Sequence, residues 1–446
     1  MLQTVTACVD SYGISTISNY SLTLWDSLKF EIINVQEEDL ATEALIALRA
    51  IAVRLTQVQV SDYPKLELAR YLQPITKECD EQLQAPEHKQ AKTAGQILSA
   101  LGSASPTAFS FIVKSVLPPL STLYQDADSI AKQRALLEVL VQLLDTAITV
   151  HGTPSMPNPP TNENPLEPFK DRLFEISSQA LMSTASEEVS FRLVAIQALL
   201  RLCMLRKYLQ ENEIGMVVQY FDEIVLTEDP TGRDELKKEA IQALVELSRS
   251  KSNLILDITF PAFLARLPDS SMVDNRDYLA TLEGLAQLSV EKFVSDTLIR
   301  RLLNKLNSAL ASNGSPAYPQ AILATLQYIL AQRDLTHDPN LHTYFEKIVV
   351  DLTTRAVLAS TGESSTTALN DDISLVILSR LSTMIVRALD EHKQKSVALQ
   401  IYTLFTEPDA FGPVPFRDKV PLLQRSTMIL STALMAGVPH KVFNST

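Results

Sequence analysis

The stretch EALIALRAIAVRL, residues 43–55, sets Ala44 and Leu45, Leu48 and Ile51 at the spacing of one helical stripe, which Leu40 and Leu55 extend on either side. The pattern is a small or apolar residue, an apolar one, then two further apolar positions, each after two variable residues. It returns as Ala94-Gly95, Leu98, Leu101 and as Leu136-Leu137, Leu140, Leu143. Further copies are Ala195-Ile196, Leu199, Leu202 and Ala240-Ile241, Leu244, Leu247. Thr281-Leu282, Leu285, Leu288 and Ile322-Leu323, Leu326, Ile329 follow, with a weaker copy at Ser374-Leu375, Leu378, Leu381.

Steps of 41 to 45 residues recur between copies. This is the period of HEAT and armadillo arrays, about 40–47 residues. Two longer steps have visible causes. Residues 152–168, GTPSMPNPPTNENPLEP, are too rich in proline to continue a helix. Residues 359–372, ASTGESSTTALNDD, read as an exposed loop. A partner helix precedes several copies. Pro118 in VLPPL and Pro261 in FPAF align, with Asp126 and Asp269 following at matching positions. Each proline either kinks a first helix or starts a new one, and the two acids are expected in the turn between paired helices. One such pair cannot bury its own stripe, so neighbours must stack. The expected fold is an all-α, HEAT/armadillo-type α-α superhelical solenoid of about eight to nine helix pairs. The expected organisation is repeats over 1–151, a proline-rich loop or linker over 152–168, and repeats over 169–446. Neither end shows a polar capping pair, which points to a segment of a longer array.

Composition agrees with an array. The 446 residues exceed what one core usually holds, about 250–300 residues. Only 11 glycines occur, few for a parallel α/β enzyme, where usage runs about 7%. The formal net charge of −13 disfavours direct contact with nucleic acid. The densest basic cluster, Arg300, Arg301 and Lys305, reads as a solvated helix face. Cys8, Cys79 and Cys203 are dispersed among apolar residues, which fits a reducing compartment and no disulfide framework. His337 and His342 flank Asp338-Pro339 and read as loop residues. No basic leader and no apolar run of about 18 residues is seen, so a soluble, intracellular protein without a membrane span is expected.

No phosphate loop, nucleophile elbow, zinc-protease helix or dinucleotide fingerprint occurs in the sequence. The acid pairs Asp371-Asp372 and Glu187-Glu188 suit helix starts better than acid–base chemistry. Asp234, Glu235 and Glu239 beside Lys237 and Lys238 read as helix-surface pairing. Trp25, Cys79 and Cys203 fall on apolar stripes and are expected in the core. No catalytic, cofactor-binding or metal-ligating residue is assigned, and no cofactor is expected.

LQTVTACVDSYG (2–13) and LWDSLKFEI (24–32), followed by YLQPITKECDEQL (71–83) and SVLPPLSTLYQ (115–125), resemble the MMS-nineteen family. FKDRLFEISSQALM (169–182) and FRLVAIQALLRL (191–202) continue the likeness more loosely, and beyond about residue 290 only repeat character is legible. The resemblance implies a non-catalytic HEAT-repeat adaptor of the cytosolic iron–sulfur protein assembly machinery. Such an adaptor targets cluster insertion to apo-proteins of DNA metabolism, and so serves nucleotide excision repair and transcription. The implied partners are assembly subunits and apo iron–sulfur helicases and polymerases, in nucleus and cytoplasm. Family members are longer, and the opening here is similar to an interior region. The N-terminal portion and the far C-terminal repeats, which dock the assembly complex, are expected to be missing. Two other readings compete. One is a generic HEAT scaffold, such as a nuclear transport receptor or a phosphatase or kinase platform. The other is an enzyme with a cryptic site.

Overall fold

The computed structural model describes residues 2–33, 38–57, 64–84, 88–154, 156, 163–182, 188–227, 234–270, 277–311, 314–361, 367–406 and 421–443. Among these residues every regular element is helical and no strand occurs. The chain forms two compact units, Met1–Lys251 and Ser252–Thr446.

In the first unit, α1 (Leu2–Ser11) precedes five helix pairs. They are α2 (Ile14–Ile33) with α3 (Glu38–Thr56), α4 (Pro64–Gln84) with α5 (His88–Gly102), and α6 (Pro106–Asp126) with α7 (Ile130–His151). The remaining two are α8 (Lys170–Met182) with α9 (Val189–Met204) and α10 (Glu211–Thr227) with α11 (Asp234–Ser250). Second helices pack in a row, α1 on α3, then α5, α7, α9 and α11. First helices pack likewise, α2 on α4 and α4 on α6.

The second unit repeats this plan. Its first pair is a helical run, α12 (Ser252–Leu254), a π-helical turn (Ile255–Thr259) and α13 (Phe260–Arg266), followed by α14 (Tyr278–Leu288). Next come α15 (Lys292–Ala311) with α16 (Ala317–Leu335). A 3-10 turn (Leu341–Tyr344), a π-helical turn (Phe345–Val350) and α17 (Asp351–Ala359) then pair with α18 (Asp372–Arg387). Last are α19 (Glu391–Thr406) with α20 (Pro421–Ala436), and the short α21 (His440–Phe443). Here α14, α16, α18 and α20 form the row. The fold is the all-α HEAT-type solenoid that the period implies, with nine pairs among the described residues.

All eight copies of the sequence pattern fall on second helices, from α3 to α18. Their stripe residues are the core: Leu48, Ile51, Leu98, Leu101, Leu199, Leu244, Leu285 and Leu326 are each 0% exposed. Each such leucine contributes about 1.5–3 kcal/mol by leaving water. The ninth second helix, α20, escaped the pattern because Ser426, Thr427 and Ser431 stand among its buried positions, beside Leu430 and Ala433. Ser426 shares a hydrogen bond of 2.7 Å with Ser360, which also donates to the Ala356 carbonyl, so the Ser426 hydroxyl is satisfied where a leucine usually stands.

The boundaries have local causes. Ser105 and Ser129 cap α6 and α7 by accepting from the Ala108 and Lys132 backbone N–H groups, and Asp371 caps α18 through Ile373. Gly152 ends α7 at φ 81°, a conformation that suits glycine, and its N–H reaches the Ile148 carbonyl. That glycine opens the proline-rich stretch, of which residues 155 and 157–162 lie outside the described residues, as do 362–366 of the second expected loop. The stretch is anchored at its far end. Leu166 is fully buried, and its carbonyl accepts from the Tyr208 hydroxyl at 3.1 Å.

Of the two readings for the aligned prolines, the structure shows that neither begins a new helix. Pro118 and Pro119 lie inside α6. Pro261 lies in a continuous helical run, directly after the π-helical turn and residues with helical dihedrals. The wider turn falls where proline's missing N–H interrupts an α ladder. Asp126 is the last residue of α6, and Asp269 lies beyond α13, where it pairs with Lys305 at 2.6 Å.

Candidate functional site

The residues singled out in the sequence are spread along both units. Trp25 is 3% exposed and packs in the core, with the Lys29 ammonium 5.9 Å from its ring centre. Arg300 and Arg301 are exposed, whereas Lys305 is turned to Asp269. Glu239 accepts from the Gln197 amide across α9 and α11. His337 sits in the turn after α16 at φ 55°, and the His342 ring faces the Pro339 carbonyl at 2.8 Å. Glu187 lies outside the described residues. Among the described residues no three His, Cys, Asp or Glu side chains gather where they could hold a metal ion. No described helix is long and apolar enough to cross a membrane.

The thiols differ sharply in access. Burial pushes Cys79 up to about 12 and raises Cys203 further, while Cys8 is partly exposed. A thiolate is the reactive species. Alkylation of the native chain at mildly basic pH is therefore expected to modify Cys8 and spare Cys79 and Cys203. Peptide mass spectrometry reads this directly, and equal labelling of all three would show that the helix rows open readily.

An open furrow of about 720 Å³ lies among α16, α18 and α20. Its walls carry Val376 and Met384 from α18 and Met428, Ile429, Ala433 and Ala436 from α20. Gln327 of α16, Ser379, Arg380 and Thr383 of α18 and Thr432 of α20 supply its polar groups. The furrow follows from short side chains and close helices. Thr383 donates to the Ala433 carbonyl at 2.9 Å. A Cβ on Gly437 would stand 2.9 Å from the Thr383 carbonyl oxygen and 2.8 Å from the Val386 Cβ, so only glycine permits this approach. Val376 and Met428 remain 47% and 48% exposed, large apolar groups left to solvent at the furrow's mouth. Such a surface, with its few polar groups, is suited to binding another chain.

Sequence reading did not find this furrow, nor a charged cluster at the end of α16. Arg333, in the last turn of α16, is 7% exposed. Its guanidinium meets Asp338 through Nε at 2.7 Å and again through Nη2, and meets Asp296 of α15 and the Tyr344 hydroxyl through Nη1. Tyr344 donates to Asp296, closing the ring. Burial opposes charge on Asp338, but hydrogen bonds from the Asn340 backbone, Arg333 and the Asn340 amide hold its carboxyl down at about 2. Every member is paired, which suits a structural clamp joining α15, α16 and the start of the next pair.

Residues 281–445 match the family described as RNAPII transcription regulator C-terminal. The DNA repair/transcription protein mms19 of Schizosaccharomyces pombe is 24% identical over 342 residues, 74% of this chain and 32% of that protein. The MMS19 nucleotide excision repair protein homolog of Xenopus tropicalis is 23% identical over 466 residues, 99% of this chain and 44% of that protein. The chain is similar to MMS19 proteins of fungi and vertebrates over most of its length. It spans less than half the length of these curated MMS19 relatives. The matched stretch 281–445 lies where sequence reading found repeat character alone, and it contains both the furrow and the Arg333 clamp. Importin beta has a similar helical array, at 11% identity and a TM-score of 0.42 over 97% of this chain and 55% of its own.

Proposed function

We propose that this chain is an MMS19-family, non-catalytic adaptor of the cytosolic iron–sulfur protein assembly machinery. It targets cluster insertion to apo-proteins of DNA metabolism, and through them serves nucleotide excision repair and transcription. The supporting observation is kinship: relatives named as DNA repair and transcription proteins, in fungi and vertebrates, align with most of the chain. Geometry agrees in kind. Stacked helix pairs expose long lateral surfaces, and arrays of this sort bind other macromolecules across several repeats. Partners are proteins, namely assembly subunits and apo helicases and polymerases, met in the cytoplasm and nucleus. The cluster is cargo, and the buried, protonated Cys79 and Cys203 are poor ligands for it.

The test is affinity capture of the tagged chain under reducing conditions, beside a longer family member as bait, with mass spectrometry of the bound proteins. The expected result is shared recovery of assembly subunits and apo helicases, with no iron in the purified chain. Recovery of these proteins by the longer bait alone would remove the adaptor role from this chain.

A further inference from the structure

We infer that the furrow among α16, α18 and α20 receives one amphipathic helix of a partner protein, whose apolar ridge fills the furrow while flanking carboxylates pair with Arg380 and Arg387. The whole chain is acidic, at −13, yet no furrow-lining residue carries a negative charge. Helix α20 has no acidic residue, and the sole acid of α18, Asp372, is paired with Arg425 at 2.7 Å. Arg380 is the one charged residue of the lining. It is exposed, as is Arg387, and among the described residues neither has an ion pair. The two stand seven residues apart on one helix, so they share a face two turns apart, about 10 Å along the axis. A helix laid alongside and carrying acids seven residues apart would meet both.

The occupant's shape follows from the walls. Val376, Met384, Met428 and Ile429 are apolar, and two of them are methionines, side chains that adapt to a ridge of varied residues. The described surface has no strand edge to extend, so an extended peptide finds no hydrogen-bonding template, whereas a helix brings its own hydrogen bonds satisfied. A small ligand would be poorly enclosed and would meet few convergent polar groups. Two arginines on an acidic chain are too few to neutralise a phosphate backbone. The inference rests on reading this chain as a protein-binding adaptor, and it adds which chemistry this part of the array selects.

Three synthetic amphipathic peptides of equal length test it, measured by fluorescence anisotropy against the full chain. All carry leucines at i, i+3, i+4 and i+7. They differ only at two flanking sites seven residues apart, which hold Glu, Gln or Lys. The Glu peptide is expected to bind about tenfold more tightly than the Gln peptide, and the Lys peptide most weakly. The preference should shrink as salt rises. Arg380→Glu should reverse the order of the Glu and Lys peptides. Arg300→Glu, an exposed change on α15 outside the furrow, should leave it alone. Circular dichroism checks that each variant folds. Equal affinities, no binding, or a Glu preference that survives Arg380→Glu would overturn the inference. Self-association of the chain abolished by Met428→Arg would assign the furrow to a second copy and overturn it too. Capture of assembly partners by the Arg380→Glu chain, with peptides unbound by either form, would leave the proposed function standing and remove this inference alone.

Discussion

Replacing Arg333 with alanine is expected to destabilise the Ser252–Thr446 unit by about 3–5 kcal/mol, the range for breaking a buried ion pair. The guanidinium is nearly excluded from solvent and satisfies Asp338, Asp296 and the Tyr344 hydroxyl together. Without it, Asp338, whose side chain is 12% exposed, keeps its charge in a poorly hydrated place. Arg333→Lys should recover little, because an ammonium cannot reach three acceptors from one planar fork. Acid has a related effect. The Asp338 carboxyl lies at about 2 when folded and near its ordinary value, about 3.9, when unfolded. Its contribution is present above the unfolded value and is lost as pH falls through the folded one, so stability should decline from about pH 4 to pH 2. Asp338→Asn should flatten that part of the pH profile. Denaturant unfolding of the wild type and three variants provides the measurement. A loss under about 0.5 kcal/mol for Arg333→Ala would place the cluster among ordinary surface pairs.

This clamp also shows where sequence reading stopped. The signal was present: Ile322, Leu326, Ile329, Leu330 and Arg333 occupy one helical stripe, so a charged residue stood at a buried position. Its partners could not be read. Asp338 and Tyr344 follow five and eleven residues later, but Asp296 comes from the preceding helix, and a single stripe does not tell which helix faces it. The row of second helices was legible for the opposite reason. Apolar residues there repeat at a fixed register, and one physical need, burying a stripe that a lone pair leaves wet, accounts for all copies. Helix α20 fell out of register in composition only. Ser426 and Thr427 occupy buried places, and the Ser426 hydroxyl looks like a surface group until Ser360 is seen beside it. The furrow is a further step removed, since it depends on short side chains at Thr383, Ala433 and Ala436 and on the tight approach at Gly437. None of these announces itself in a sequence. The family likeness was legible from motifs near the beginning, whereas the matched family stretch covers residues 281–445, where generic leucine periodicity masks distinctive residues.

Leu199→Ala should cost about 3–5 kcal/mol and should show how the first unit is held together. Leu199 is fully buried on α9, a helix that packs against α7, α8, α10 and α11. Deleting its branched end removes transfer energy and leaves a cavity that close-packed neighbours fill only in part. In a row of stacked pairs stability is a sum of nearest-neighbour interfaces, so damage spreads outward from the altered pair and fades with distance. Hydrogen exchange should therefore quicken in α7 to α11 while α2 and α3, at the other end of the same unit, keep their protection. Leu48→Ala on α3 should give the mirror image, with exchange raised in α1 to α5 and unchanged in α10 and α11. Uniform loss of protection across the unit in both variants would mean one cooperative core. A partner could then no longer be gripped by a few repeats while the rest stay unperturbed, which is the property an adaptor of this architecture needs.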